Sequence, residues 1–153
     1  ATVVATASTP ERQEVARQAG ADFVFDYRDP DIIFDIREAV GSVDRIIEVN
    51  LSANLEMDLE VSKPDTVVVV YASTGADIQI PTRQLMIAGL VLEFMLLYTV
   101  AADKLATAVS QVESALAEGA LTMPPVRYFE LDDIVSAHET QEAGAPSRLV
   151  IRL

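Results

Sequence analysis

Val67-Val68-Val69-Val70-Tyr71 is the clearest strand in this sequence of 153 residues. Four β-branched residues and a tyrosine follow a turn at Lys63-Pro64-Asp65. An apolar run without alternation is typical of a strand that is covered on both faces of a parallel sheet. On either side of it, short apolar runs alternate with segments of helical spacing. The sequence therefore predicts an α/β fold with a parallel sheet between two layers of helices.

The remaining elements follow from apolar spacing and from the residues that start and stop helices. Further strands are expected at residues 2–6, 23–25, 43–49, 90–98, 126–129 and 149–153. A helix capped by Thr9 is expected from Pro10 to Gly20. Further helices are expected at about 31–40, at 52–61, as a short helix from Pro81, at 103–118, and after a cap at Asp132. At about 150 residues per domain, we expect one domain or the larger part of one.

The composition excludes several classes of partner and site. With 24 acidic residues against 11 Lys and Arg, the formal charge is −13. An acidic surface repels phosphate backbones and anionic lipids, so neither a nucleic acid nor a membrane is expected as a partner. Without cysteine, and with His138 as its one histidine, the chain has no thiolate nucleophile and no metal site built on Cys or His. The N-terminus lacks the features of a signal peptide, so a cytoplasmic location is expected.

Polar residues stand where the predicted strands end, and parallel sheets bind ligands at that edge. The strand ends are Ala7-Ser8, Asp26-Tyr27, Val49-Asn50-Leu51, Ala72-Ser73-Thr74 and Tyr98-Thr99. They supply hydroxyls, one amide and two tyrosines, and no acid–base pair. The pair His138-Glu139 lies in a predicted helix of the tail without a nucleophile to accompany it. The edge is therefore predicted to bind a ligand, and no catalytic residue is assigned in this chain.

The order of elements and several short motifs resemble the cofactor-binding half of the medium-chain dehydrogenase/reductase superfamily. The resemblance is strongest to the zeta-crystallin-like NADPH:quinone oxidoreductases, whose C-terminal half is a zinc-binding dehydrogenase type of domain. The motifs are Gly20-Ala21-Asp22, Asp26-Tyr27-Arg28, the run from Val43 to Val49, Ala53-Asn54-Leu55, Asp58-Leu59, the run from Tyr128 to Ile134, and Ala137-His138-Glu139. This resemblance implies a Rossmann-like fold that binds a nicotinamide nucleotide.

The resemblance also implies that parts of the family's cofactor domain are missing. The chain contains no G-x-G-x-x-G, and it resembles a piece that begins at the second strand of the fold, without the first strand and the Gly-rich loop. Residues 1–123 are predicted to be this truncated dinucleotide-binding domain, and residues 124–153 a segment that returns to an absent catalytic domain. Pro64-Asp65 replaces a usual Gly pair, and Ala72 stands where a Gly commonly lets the backbone approach the cofactor.

The candidate cofactor contacts come from these strand ends and from the resemblance. Ser8 replaces the acid that usually holds a ribose 2′-hydroxyl of NAD, and Arg12 follows one helical turn later, a combination that suits a 2′-phosphate. The resemblance adds Tyr27 beside this phosphate, Asn50 and Ser73 at the nicotinamide ribose and ring, and Tyr98 near the ring. NADP(H) is therefore favoured over NAD(H). In the alternative interpretation Ser8 only caps a helix, Arg12 is solvated and Tyr98 belongs to the core or to a subunit interface.

The functional expectation is the cofactor-binding part of an NADPH-dependent quinone oxidoreductase. The intact parent would reduce a quinone or an activated alkene, and we expect the isolated chain to be inactive. An enoyl or alkenal reductase of the same superfamily is an alternative. So is a non-catalytic module that forms a homodimer through the apolar edge strand Leu90–Tyr98, because an unpaired edge invites association.

Overall fold

The structure is a computed structural model that describes residues 1–75, 78–121, 123, 125–145 and 147–153. In these residues strands and helices alternate as predicted. The strands are β1 (Val4–Thr6), β2 (Phe23–Phe25), β3 (Val43–Glu48), β4 (Ser62–Val70), β5 (Val91–Phe94), β6 (Val126–Glu130) and β7 (Arg148–Arg152). The helices are α1 (Pro10–Gln18), α2 (Ile32–Val40), α3 (Leu51–Val61), α4 (Thr82–Ala88), α5 (Ala102–Ala117) and α6 (Ile134–Glu142). No helix of the described ranges has the length and apolarity needed to cross a membrane.

All strand pairs of the described residues are parallel, which confirms the predicted fold class. They form three separate sheets with the orders β1-β2, β3-β4-β5 and β6-β7. In the described residues, the central strand β4 is the one strand with a hydrogen-bonded neighbour on each side.

The chain divides into two compact units. One unit comprises residues Ala1–Asp26 and Gln111–Leu153, and the other comprises Tyr27–Ser110. The predicted boundary between residues 123 and 124 concerns an absent domain and stays a prediction, and Pro124 lies outside the described residues.

In the unit Tyr27–Ser110, the core forms where α3 packs on the central strand β4. Leu51 and Leu55 from the helix meet Val68 and Val70 from the strand, and all four side chains are buried. Val68 is fully buried. A side chain of this size contributes about 1.5–3 kcal/mol when it is removed from water. The cluster therefore fixes α3 over the carboxyl end of β4.

The unit formed by Ala1–Asp26 and Gln111–Leu153 contains the two short sheets and two of the helices. Thr9 caps α1, since its side-chain oxygen accepts a hydrogen bond from the backbone N–H of Arg12 at 3.3 Å, and Pro10 occupies the first turn. This cap was predicted from the sequence. The cap predicted at Asp132 is wrong, because residues Leu131–Asp133 form a 3-10 turn that leads directly into α6. A short 3-10 turn is a common way to begin a helix.

The apolar run expected as a strand at Leu90–Tyr98 is a strand only at Val91–Phe94. Strand β5 follows its one partner β4 in register to Val70, and the ladder ends there. Beyond it, Leu97–Thr99 form a 3-10 turn in which the side chain of Thr99 donates to the carbonyl of Leu96 at 2.9 Å. This bond competes with a strand conformation.

A bulge at residues 63–66 interrupts the pairing of β4 with β3. Val43 pairs with Ser62, yet Arg45 pairs with Val67, so the extra residues of β4 bulge out of the ladder. The buried Thr66 hydroxyl accepts from the Lys63 N–H at 3.0 Å and donates to the Val43 carbonyl at 2.7 Å. The turn predicted at Lys63-Pro64-Asp65 is wrong: these residues belong to β4 and form a bulge within it.

Asp65 adopts a left-handed backbone conformation in this bulge, with φ of +68°. A Cβ disfavours this region by roughly 1–2 kcal/mol, and aspartate tolerates it better than alanine does. We expect Asp65→Ala to lower the free energy of unfolding by about 1 kcal/mol, and Asp65→Gly to leave it unchanged or raised. Urea denaturation of the three chains measures the difference. Equal stability of the Ala and Gly variants would contradict the assigned conformation.

Candidate functional site

A cleft of about 480 Å³ lies at the carboxyl ends of the strands in the unit Tyr27–Ser110. Its walls come from the first residues of α3, from the end of β4 and the segment after it, and from the end of β5. The lining residues are Leu51, Ser52, Val70, Tyr71, Ala72, Ser73, Ile78, Phe94, Met95, Leu96 and Thr99. This is the edge at which parallel α/β sheets bind ligands.

The cleft combines apolar walls with a few hydroxyl groups. Val70, Phe94 and Leu96 supply apolar surface, and Ser73, in the segment that follows β4, supplies a hydroxyl group. The Ser73 oxygen accepts a hydrogen bond from the backbone N–H of Gly75 at 3.0 Å. A serine hydroxyl that accepts such a bond can still donate its own proton to a ligand. The arrangement suits a flat, largely apolar ligand with a few polar atoms.

The turn between β3 and α3 lies next to this cleft, because Leu51 and Ser52, which follow it, line the wall. Asn50 precedes α3, and its side-chain oxygen accepts a hydrogen bond from the Ser52 hydroxyl at 2.8 Å. Glu48 accepts a hydrogen bond from the backbone N–H of Asn50. The side-chain nitrogen of Asn54 lies 3.0 and 3.2 Å from the two oxygens of the same carboxylate. Glu48, the last residue of β3, thus accepts hydrogen bonds both from the turn and from helix α3.

A second carboxyl group, that of Asp58 on α3, is buried beside Glu48. Asp58 is 1% exposed and Glu48 is 3% exposed. Burial, together with the neighbouring charge of Glu48 and a hydrogen bond to it, raises the pKa of Asp58 to about 7. The Oδ2 atom of Asp58 is buried and receives no hydrogen bond in the described structure. A buried carboxyl in these surroundings favours its neutral form.

Of the four candidate contacts predicted in this unit, the structure brings two to the cleft. Ser73 lines it, and Asn50 is bonded to the lining residue Ser52. Tyr98 does not line it: the side chain is 92% exposed, between the lining residues Leu96 and Thr99. Tyr27 is also exposed and lies outside the lining.

The other two candidate residues, Ser8 and Arg12, lie in the unit formed by Ala1–Asp26 and Gln111–Leu153. Ser8 is buried at the end of β1. One nitrogen of the Arg12 guanidinium donates to the carbonyl of Gly144 at 3.0 Å. This bond uses one of the five N–H donors of the guanidinium. Arg12 is therefore anchored to the end of α6, which the sequence did not predict.

Sequence reasoning missed Tyr71, Glu48 and Asp58. Tyr71 lines the cleft and was counted only as the last residue of the strand. Glu48 carried a signal, because an acidic residue within the apolar run of β3 is either exposed or held by buried partners. Asp58 carried none, since it stands among acidic residues on a helix whose Glu56 and Glu60 are exposed.

No metal centre is assigned to this chain. Among the residues that the structure describes, no group of three or more His, Asp or Glu side chains is placed to hold a metal ion. His138 is exposed on α6. The residues present do not fit a zinc ion, and no chemical step is assigned to one.

Comparison with known proteins identifies relatives that are about twice as long. Quinone oxidoreductase of Sus scrofa is 28% identical over 99% of this chain, and the match covers 47% of that protein. This chain therefore spans about half the length of the curated relatives that it matches.

Solved structures share the fold at lower identity. The Pseudomonas syringae pv. Tomato DC3000 quinone oxidoreductase superposes with a TM-score of 0.83 at 18% identity, over 99% of this chain and 49% of that one. CurA from Vibrio vulnificus, solved in complex with NADPH, superposes with a TM-score of 0.79 at 13% identity, over 98% and 49%. Both confirm the α/β fold.

The family model described as zinc-binding dehydrogenase matches residues 1–114, which is well over half of the chain. The matched range contains β1 to β5 and every residue that lines the cleft. This chain belongs to the zinc-binding dehydrogenase family.

Proposed function

We propose that this chain is the cofactor-binding part of an NADPH-dependent quinone oxidoreductase. The observation that carries the proposal is the cleft at the carboxyl ends of β3, β4 and β5, with Ser73 on its wall and Asn50 beside it. The quinone oxidoreductases among the relatives support the assignment of the reaction.

The residues of the cleft fit the nicotinamide half of such a cofactor. A nicotinamide ring is flat and weakly polar, and its carboxamide needs a few hydrogen-bond partners. Val70, Phe94 and Leu96 provide apolar contact, and the hydroxyls of Ser52 and Ser73 provide polar atoms. The Asn50 side chain uses its oxygen to accept from Ser52, and its amide group can still donate to a ligand.

When bound, the cofactor supplies the hydride or the electrons that reduce the quinone. The chain itself contributes binding and orientation. The apolar walls exclude water from one side of the ring, and the β3–α3 turn sets the position of the ribose contacts.

A preference for NADPH over NADH is proposed to come from Arg12 and Ser8. The end of β1 carries no acid that would repel a 2′-phosphate. The bond from Arg12 to Gly144 restrains the guanidinium without using up its donors. A guanidinium restrained in this way loses less side-chain entropy when it pairs with a phosphate.

We expect Arg12→Gln to weaken NADPH binding by about tenfold or more, since a charge-assisted hydrogen bond contributes about 1.5–3 kcal/mol. Affinity for NADH should be unchanged. Fluorescence titration of the folded chain with each cofactor measures both constants.

Arg17→Gln is the matched control for this experiment. Arg17 lies on the same helix and makes an exposed ion pair with Glu14 at 3.7 Å, so its removal should affect neither cofactor. An equal loss of NADPH affinity in both variants would show that only net charge matters. Equal loss of NADPH and NADH binding in Arg12→Gln would reject the phosphate contact.

A second proposed function, association into a homodimer, rests on the exposed apolar segment Phe94–Tyr98. All five side chains of this segment are exposed, and β5 is hydrogen-bonded to β4 alone. Apolar surface next to an unpaired strand edge favours association with another chain. In the family that the sequence resembles, the corresponding strand pairs with its counterpart across a dimer.

We expect light scattering at high concentration to give twice the mass of the chain. Leu97→Glu places a charge in the apolar segment without touching the lining of the cleft, and should shift the mass toward that of a monomer. Glu118→Gln, an exposed residue just past the end of α5, is the control and should leave the mass unchanged. A monomer for the unchanged chain would reject the homodimer.

A further inference from the structure

Two carboxyl groups buried side by side are unexplained by cofactor binding alone. Glu48 at the end of β3 and Asp58 on α3 are both almost completely inaccessible to solvent. Within the described part of the chain, no ion pair includes either of them. Two buried carboxylates without a cation cannot both stay ionised at low cost.

The two groups have different hydrogen-bond partners. The Glu48 carboxylate accepts from the Asn50 backbone N–H and from the Asn54 side chain. Both partners are donors, so this site suits a carboxylate that only accepts. Asp58 Oδ2 has no donor near it. Asn54, one helical turn before Asp58, binds the Glu48 carboxylate, so Asp58 lies on the face of α3 that meets Glu48. A hydrogen bond between the Asp58 and Glu48 carboxyls requires that one of them carries a proton, because two carboxylates can only accept.

We propose that Asp58 and Glu48 share one proton, and that this protonated pair is the positioning device that holds the β3–α3 turn in the geometry the cofactor requires. Asp58 is the donor and Glu48 the acceptor. Glu48 in turn fixes the backbone of Asn50 at the start of α3. This inference rests on the proposed function, because it assigns to the pair a role in the same cleft.

The charged groups around the pair do not replace the shared proton. Helices α2 and α4 and strands β3, β4 and β5 pack on α3 or on the core that it covers. Their charged residues, with those of α3 itself, are Asp35, Arg37, Glu38, Asp44, Arg45, Glu56, Glu60, Lys63, Asp65, Arg83 and Glu93.

The cations of this set are exposed or engaged elsewhere. Arg37 pairs with Glu60 at 3.1 Å, and Lys63 pairs with Asp44. Arg45 and Arg83 are exposed. Glu48 is the one charged group that acts on the pKa of Asp58. The protonation of Asp58 therefore decides whether the pair carries one negative charge or two.

Loss of the proton has a defined consequence. Above a pH of about 7, Asp58 ionises and places a second negative charge against Glu48. Repulsion between the two weakens the hold of Glu48 on the Asn50 backbone. The turn then moves away from the geometry that binds the cofactor, so binding weakens as pH rises.

The test compares NADPH affinity at pH 6.5 and pH 8.5 for three chains. The unchanged chain should lose about fivefold in affinity between these values, a modest coupling between linked sites. Asp58→Asn stays neutral and keeps a donor toward Glu48, so its affinity should change with pH only through the titration of the cofactor phosphate itself. The contribution of the pair is the difference in pH dependence between the unchanged chain and Asp58→Asn, and the fivefold loss refers to this difference. Glu56→Gln changes an exposed carboxyl on the same helix and should behave like the unchanged chain.

A second readout needs no cofactor. The backbone amide signals of Asn50 and Ser52 in NMR spectra should shift with a midpoint near pH 7, and the shift should be absent in Asp58→Asn.

The thermal midpoint of unfolding should also depend on pH. A folded-state pKa above the ordinary 3.8 means that the native chain binds more protons than the unfolded one between pH 4 and 7, so this contribution to stability falls as pH rises through that range. In Asp58→Asn, this decline in stability between pH 4 and 7 should be absent.

The outcomes separate the two proposals. Absence of NADPH binding at every pH would reject the proposed function, while an amide titration near pH 7 would still support the proton-sharing pair as the group that positions the turn. If the amide signal of Asn50 does not titrate near pH 7, the proposal that Asp58 and Glu48 share a proton is rejected. An Asp58→Asn chain whose NADPH affinity declines with pH as steeply as that of the unchanged chain would also reject it.

Discussion

The burial of β4 between β3 and β5 is the constraint on which the cleft depends. Val68 and Val70 are enclosed by Leu51 and Leu55 of α3, so the helix can sit in only one place along the strand. That placement puts the start of α3 next to the end of β4. Both elements then contribute residues to the wall of one cleft. A core of branched apolar side chains thus determines where the polar groups of the site lie.

The same packing buries two carboxyl groups, those of Glu48 and Asp58, next to the β3–α3 turn. Helix α3 places Asp58 against the end of β3, where Glu48 accepts hydrogen bonds from the turn. A buried carboxylate that organises backbone donors is useful at a ligand edge, but a second carboxyl beside it must remain neutral. Core packing, the geometry of the turn and the protonation of Asp58 are therefore aspects of one arrangement. The shape of the proposed cofactor site depends on this arrangement.

The sequence predicted most of the fold and part of the candidate site. Apolar runs such as Val67–Tyr71 identify strands because their pattern depends only on burial, and the order of strands and helices follows from it. Ser73 and Asn50 were found because residues that follow parallel strands share one edge. The extent of β5 was not predictable, because an apolar run does not show where a partner strand ends. Asp58 was not found either: its burial depends on which face of α3 meets β3, a property of tertiary packing that its acidic neighbours conceal.

The most direct test of the account is to map NADPH binding on the folded chain by the chemical shifts of its backbone amides. The account predicts saturable changes concentrated at the strand ends that line the cleft, above all at Ser52, Ala72, Ser73 and Leu96. The amide of Val43, at the opposite end of β3, should be unaffected. Saturable changes located elsewhere, with the amides of the cleft unmoved, would contradict the claim that this edge of the sheet is the cofactor site.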